Sequence, residues 1–308
     1  MTAPHLPFAY VPRRPGRSRF VPVRGLQYHV TCWGDDIDPA QPPLVMLHGW
    51  MDVGASFQFV VDALPQHRYV VALDWRGFGR TQAPADTYWF ADYLGDLDVL
   101  LDTLLPGRTI DLLGHSMGGN VAMLYAGVRP QRLRRLVNLE GFGMPRSRPQ
   151  DAPARYAQWL DQLREPPALG SYDSVDGVSR RLMKNNPRLA ADKAAWLALQ
   201  WSERRGDGRW HLRAEPGHKG VAPQLYQADE VLAVWQRIEA PLLWIDGALT
   251  DMAGWWGQRY GREEFEARLA TVRAPVERQR LAASGHMLHH DEPEALAAHI
   301  ERFLAAAA

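Results

Sequence analysis

The sequence predicts an α/β protein: a mostly parallel sheet covered by helices on both faces, with a helical insert beyond the middle of the sheet-forming pattern. Three observations carry that expectation. Short, nearly continuous apolar runs alternate with segments of helical periodicity, the signature of parallel strands buried on both faces. One of those runs passes through a glycine-flanked serine straight into a helix, in DLLGHSMGGNVAMLYAG from Asp111 to Gly127. From about Gly141 the rhythm breaks: proline and arginine rise in GMPRSRPQDAPARY, and the chain to about Trp235 reads as helices with no strand of comparable apolar strength.

Taken in chain order, RFVPV and LQYHVTCW read as two short strands joined by a turn at Arg24 and Gly25. PLVMLHG (Pro43 to Gly49), ASFQFVVDAL and RYVVALD (Arg68 to Asp74) form a strand, helix, strand unit. The helix YLGDLDVLLDTLL follows, apolar at i, i+3, i+4 and i+7, then the strand TIDLLG, a helix from Ser116 to about Val128 and the strand LRRLVNLE. After the break the alternation resumes with APLLWIDG, a helix containing EEFEARLATV, the strand-like VERQRLAA and the terminal helix EPEALAAHIERFL. The expected division is therefore a core in two parts, residues 18–144 and 236–308, around a helical cap at 145–235.

Composition narrows the function classes. Across 308 residues, 35 basic side chains balance 35 acidic ones, which leaves no general electrostatic case for nucleic acid or an anionic membrane as partner. Arg13, Arg14, Arg17 and Arg19 make the N-terminus basic, and a solvated arm accounts for them. No apolar leader follows that arm and no apolar stretch is long enough to cross a bilayer, so a cytoplasmic location is expected. Cys32 is the only cysteine, which excludes an intrachain disulfide and any multi-cysteine metal site. Oligomeric state leaves no mark that can be read.

Gly114-His115-Ser116-Met117-Gly118 fits a nucleophile elbow, G-x-S-x-G between a strand and a helix. So tight a turn strains the serine backbone, and the two glycines let strand and helix approach. In return the hydroxyl stands at a helix N-terminus, where N–H groups favour an oxyanion. The backbone N–H groups of Trp50, in LHGWMD, and of Met117 are the candidate oxyanion donors. His48 reads as structural, while His115 packs beneath the elbow or lines the substrate pocket. A general base is supplied late, by His286 in ASGHMLHHDEPEAL. His289 and His290 are accounted for by exposure or capping at the last helix. A metal reading of His286, His289, His290 and Asp291 lacks a second ligand set, so no metal is expected.

Through LHGWMD, DWRGFGRT, GHSMGG, RRLMKNNPRL and GHMLHHDEPEAL the chain resembles the α/β-hydrolase superfamily, and within it the serine-hydrolase-like proteins and related small acyl-esterases. The resemblance implies an eight-stranded sheet with an inserted cap, a Ser, acid, His triad in chain order, and cofactor-free cleavage of carboxylic esters or thioesters of small molecules. The acid stays open between two positions. Most members place an aspartate three residues after a glycine ending the seventh strand, but Gly247 is followed by Ala248, Leu249 and Thr250, with Asp251 one position late. In the esterase subgroup the acid follows the sixth strand, where this chain has Glu140 instead of aspartate. Asp246, inside the strand, is a poor third choice. Trp159 and Trp201 are candidate walls of an acyl pocket, with core packing an equal explanation. Other serine-dependent reactions on the same fold (C–C bond, amide or perhydrolase chemistry) and a non-catalytic ligand receptor are the rival expectations.

Overall fold

The computed structural model of the chain describes residues 9–35, 38, 41–84 and 88–306. A hairpin opens it, β1 (Arg17–Val23) and β2 (Leu26–Trp33), turned by Arg24 and Gly25 at φ 46° and 82°. There follow β3 (Leu44–Leu47), α1 (Gln58–Ala63) entered through a 3-10 turn at Gly54–Phe57, and β4 (Val70–Leu73). Next come α2 (Phe90–Leu104), β5 (Ile110–His115), α3 (Met117–Val128) and β6 (Leu133–Leu139).

An insert then holds α4 (Ala152–Arg164), β7 (Ser171–Tyr172), α5 (Val175–Asn185), α6 (Ala191–Trp201), β8 (Ser202–Arg204), β9 (Trp210–Leu212) and α7 (Ala228–Trp235). The chain closes with β10 (Leu242–Gly247), α8 (Met252–Trp256), α9 (Arg262–Leu269), β11 (Val276–Leu281), α10 (Leu288–Asp291) and α11 (Pro293–Ala305). Eight strands form one sheet in the order β1-β2-β4-β3-β5-β6-β10-β11. β2 runs antiparallel to both neighbours, and every pairing from β4 to β11 is parallel.

The period of two explains why these strands read as unbroken apolar runs. Val45, Leu47, Val71, Leu73 and Leu112 face one layer, made by α2, α3 and α9 through Leu97, Leu101, Val121, Tyr125 and Phe265. Leu44, Met46, Val70, Ala72 and Leu113 face the other, made by α1 and α11 through Val60, Val61, Leu296 and Ile300. Each fully buried Leu, Val or Ile contributes about 1.5–3 kcal/mol. Both faces are thus covered, so the central strands are mostly apolar on both sides.

The insert differs from expectation in content. Besides its helices it carries a three-stranded antiparallel sheet, β7-β9-β8. Strands of two or three half-buried residues leave no apolar run to read. Its helices α5 and α6 have a core of their own, Val178, Leu182, Leu189 and Leu197, closed by Phe59 of α1. Its last helix α7 buries Trp235 to 1% exposure in the main core against α3. The N-terminal arm is also docked, not merely solvated: the N–H groups of Arg13 and Arg14 and the Tyr10 hydroxyl all donate to the Asp62 carboxylate of α1. Among the described residues no helix is long and apolar enough to cross a membrane.

The α3–α7 contact is backbone-close at Gly127, where a Cβ would lie 2.1 Å from the carbonyl oxygen of Val234. Gly127→Ala should therefore destabilise the chain by about 1–3 kcal/mol. Gly206→Ala, with nothing within 4 Å of an added Cβ, should leave it nearly unchanged. Urea denaturation of the two variants beside the parent checks both.

Candidate active site

Ser116 is the residue between β5 and α3, and its backbone sits at φ 51°, ψ −115°. Close approach enforces the turn: a Cβ on Gly114 would lie 2.3 Å from the Gly118 carbonyl oxygen, and one on Gly118 would lie 2.2 Å from that of Leu47. The Ser116 N–H donates to the Leu139 carbonyl at 2.8 Å, pinning the turn to the end of β6. The hydroxyl consequently stands at the start of α3, whose first N–H groups have no partner within the helix.

His286 reaches this hydroxyl from the loop after β11. Its Nε2 lies 2.9 Å from Ser116 Oγ, and its Nδ1 lies 2.6 Å from Oε2 of Glu140. A carboxylate oxygen only accepts, so the proton of the neutral ring belongs on Nδ1, leaving the Nε2 lone pair to accept the serine proton. Glu140 follows β6 at φ 56° and its side chain is fully buried. Oε1 of Glu140 accepts from the Gly247 N–H at 2.7 Å and the Thr250 hydroxyl at 2.6 Å. Three donors therefore fix the carboxylate in the plane the imidazole needs.

Of the two candidate acids, Glu140 is the one that touches His286. Asp251 caps α8, accepting from the Gly254 N–H at 2.8 Å. Asp246 is paired with Arg262 and Arg280 at 2.5 and 2.9 Å. The loop after β3 runs against the serine, since a Cβ on Gly49 would lie 3.2 Å from Ser116 Cβ. That loop carries Trp50, the residue after Gly49, and Met117 follows the serine as the first residue of α3. His48 holds the loop as expected, with Nδ1 2.7 Å from the Gly49 carbonyl and Nε2 accepting from the Trp75 N–H at 2.9 Å.

A cavity of about 840 Å³ opens along α3 between the core and the insert, walled by Phe90, Asn120, Leu124, Met144, Tyr156 and Trp235 among others. Ser116, Asn120 and Leu124 are the partly accessible residues at i, i+4 and i+8, so this stripe of α3 runs from the hydroxyl along the cavity wall. None of His115, Trp159 and Trp201 lines it. His115 lies under the elbow, 1% exposed, its Nε2 donating to the His286 carbonyl at 2.8 Å. Burial, with His289 and His286 nearby, pushes its pKa far below the ordinary histidine value, so it stays neutral. Trp201 donates to Ser56 Oγ at 3.0 Å and packs on the insert core. Trp159 lines a separate cavity of about 280 Å³ beside Tyr88 and Leu163.

Three features escaped sequence reasoning. Trp255 is 42% exposed and sets its ring edge-on to His286 at 4.6 Å between centroids. His289 and His290 are buried, not exposed. Asp291 turns away from the histidines to accept from Asn186, Arg188 and the Gly285 N–H, at 2.7, 2.8 and 2.9 Å. Only spacing relative to His286 was available as a signal, and spacing does not report which way a loop turns.

An eight-stranded, mostly parallel sheet with a serine at the turn from its central strand into a helix defines a protein of the α/β-hydrolase class. Residues 42–293 match the family model described as the alpha/beta hydrolase fold, and the chain belongs to that family. A serine hydrolase-like protein of Dictyostelium discoideum is 25% identical over 297 residues, covering 91% of this chain and 79% of that protein. A serine hydrolase-like protein of Danio rerio is 28% identical over 180 residues, 54% of this chain and 52% of that one. Among solved structures, the thioesterase domain from the curacin biosynthetic pathway superposes with a TM-score of 0.77 at 24% identity, covering 93% of this chain and 99% of that chain. The chain is thus a hydrolase of the α/β-hydrolase fold.

The 2.6 Å contact between His286 and Glu140 should give a strongly downfield Nδ1–H proton resonance. In Glu140→Gln that signal should move upfield or vanish, and in Asp251→Asn it should persist. Proton NMR with selectively labelled histidine reads both.

Proposed function

We propose that the chain is a serine hydrolase that cleaves carboxylic esters or thioesters of small molecules through an acyl-enzyme on Ser116. The observation that carries this reading is the chain of contacts from Ser116 Oγ to His286 Nε2 at 2.9 Å and from His286 Nδ1 to Glu140 at 2.6 Å. His286 takes the hydroxyl proton as Oγ attacks the acyl carbonyl, and Glu140 stabilises the imidazolium so formed. The N–H groups of Trp50 and Met117 receive the charge that develops on the carbonyl oxygen. His286 then hands its proton to the departing alcohol or thiol, and in the second half-reaction it activates the water that releases the acid.

The acyl group is assigned to the cavity along α3, whose Phe90, Leu124, Met144 and Trp235 walls suit an apolar chain. The insert acts as the cap over it, and the chemistry needs no cofactor.

A series of p-nitrophenyl esters of increasing acyl length should give a pre-steady-state burst and an acyl adduct by intact mass. Ser116→Ala should abolish both and lower kcat by at least about 10⁴. Glu140→Gln should cost about 10³–10⁴ by favouring the wrong tautomer. Asp251→Asn should stay within about twofold, because a cap hydrogen bond bears on stability only. No burst, no adduct and equal rates for parent and Ser116→Ala would leave a ligand-binding receptor as the reading.

A further inference from the structure

Beneath the Ser116–His286 pair the chain buries a set of polar side chains that acyl transfer does not use. Asp52, His289 and His290 are 2%, 0% and 3% exposed, and one ligand-type atom from each lies within 4.8 Å of the others. Asp52 is oriented from behind: its Oδ1 accepts from the Val53 N–H at 2.7 Å and from the Ser56 hydroxyl. This leaves Oδ2 directed at His289 Nε2, 3.3 Å away. That separation exceeds the ~2.7–2.9 Å of a charge-assisted hydrogen bond. It matches the edge of a tetrahedron of donor atoms ~2.0–2.1 Å from its centre.

Two further ring nitrogens, His289 Nδ1 and His290 Nε2, are buried and have no hydrogen-bond partner among the described residues. Native interiors seldom leave such atoms unpaired. One carboxylate and two imidazoles are a poor set for calcium or magnesium, which want oxygen shells, and a good one for zinc-like ions.

We infer that Asp52, His289 and His290 form a binding site for a zinc-class divalent transition ion, with a fourth position left to water. Asp52 lies on the loop that carries Trp50, and His289 and His290 follow His286 in α10, so an ion here joins the two loops that flank Ser116. The insert braces the same point through the Trp201 to Ser56 hydrogen bond at 3.0 Å.

The test is metal uptake by the full chain, stripped with a chelator and dialysed against micromolar free Zn²⁺ or Co²⁺. One equivalent should bind, with intense visible bands of four-coordinate Co²⁺ and a zinc X-ray absorption edge fitted by two imidazoles and light-atom ligands. Ser116→Ala and His286→Ala should retain that stoichiometry, whereas His290→Gln and Asp52→Asn should weaken affinity at least about tenfold. If either ligand variant fails to fold by circular dichroism, the parent's Co²⁺ spectrum and absorption edge decide alone. The inference is overturned by no uptake, by an oxygen-only six-coordinate shell, or by binding lost in His286→Ala and kept in His290→Gln. A crystal structure with a water bridging His289 and His290 after a zinc soak also overturns it. Every readout is independent of ester turnover, so its failure and that of the acyl-transfer reading are separable.

Discussion

Everything at the site depends on one strained turn. Ser116 holds φ 51° with ψ −115°, a conformation that costs a non-glycine residue about 1–3 kcal/mol and persists only where its surroundings fix it. Those surroundings are two apolar layers that clamp β5 from both faces, one of them including α3, whose first turn meets the backbone of β3 at Gly118. Space has been removed where side chains would stand: a Cβ on Gly119 would lie 2.7 Å from Asn138 Oδ1, and one on Gly141 would meet the same oxygen at 2.7 Å. Asn138 Oδ1 itself accepts from the Gly141 N–H at 2.7 Å, which directs the chain after β6 past the serine. The turn that lifts Ser116 and the bend that delivers Glu140 are thereby one packing problem with one solution.

The base is held less by its own strand than by neighbours. β11 is an edge strand with half-buried residues, a poor platform for a side chain that must keep its position. His115 supports it from below through the His286 carbonyl, and Asp291 ties the preceding Gly285 to Asn186 and Arg188 of the insert. Trp255 closes one side of the ring. The loop thus depends on core and insert together, which pre-organises the imidazole without requiring rigidity from the edge of the sheet.

Legibility in the sequence followed burial and backbone demand. The central strands were readable because they are buried on both faces and mostly apolar, and the elbow because glycine alone tolerates a backbone-close crossing. The β7-β9-β8 sheet was not, since two- and three-residue strands have no period to detect. Aromatic side chains carry no sign of their surroundings: Trp201, which the sequence leaves equally a pocket wall or a core residue, packs on the insert core, and Trp255 stands open beside His286. Polarity misled in the opposite sense at His289 and His290, where Asp52, distant in sequence, makes their burial tolerable.

The two-fold ambiguity over the acid has a structural origin. β6 and β10 are adjacent and parallel, with Leu139 opposite Ile245, so the residue that follows either strand emerges at the same edge of the sheet. An acid from either place can reach the imidazole, and a sequence cannot say which does. Here the β10 loop supplies donors where an acid would otherwise stand: the Gly247 N–H and Thr250 hydroxyl both point at Oε1 of Glu140. With those donors in place a second carboxylate beside Glu140 would be repelled and left without partners. Asp251, one residue past Thr250, accordingly has its charge turned to the helix it caps. The extra methylene of glutamate lets a carboxylate rooted in a left-handed turn after β6 span the gap to both the β10 loop and the ring. A departure from the usual residue at each of two positions is therefore a single compensated change.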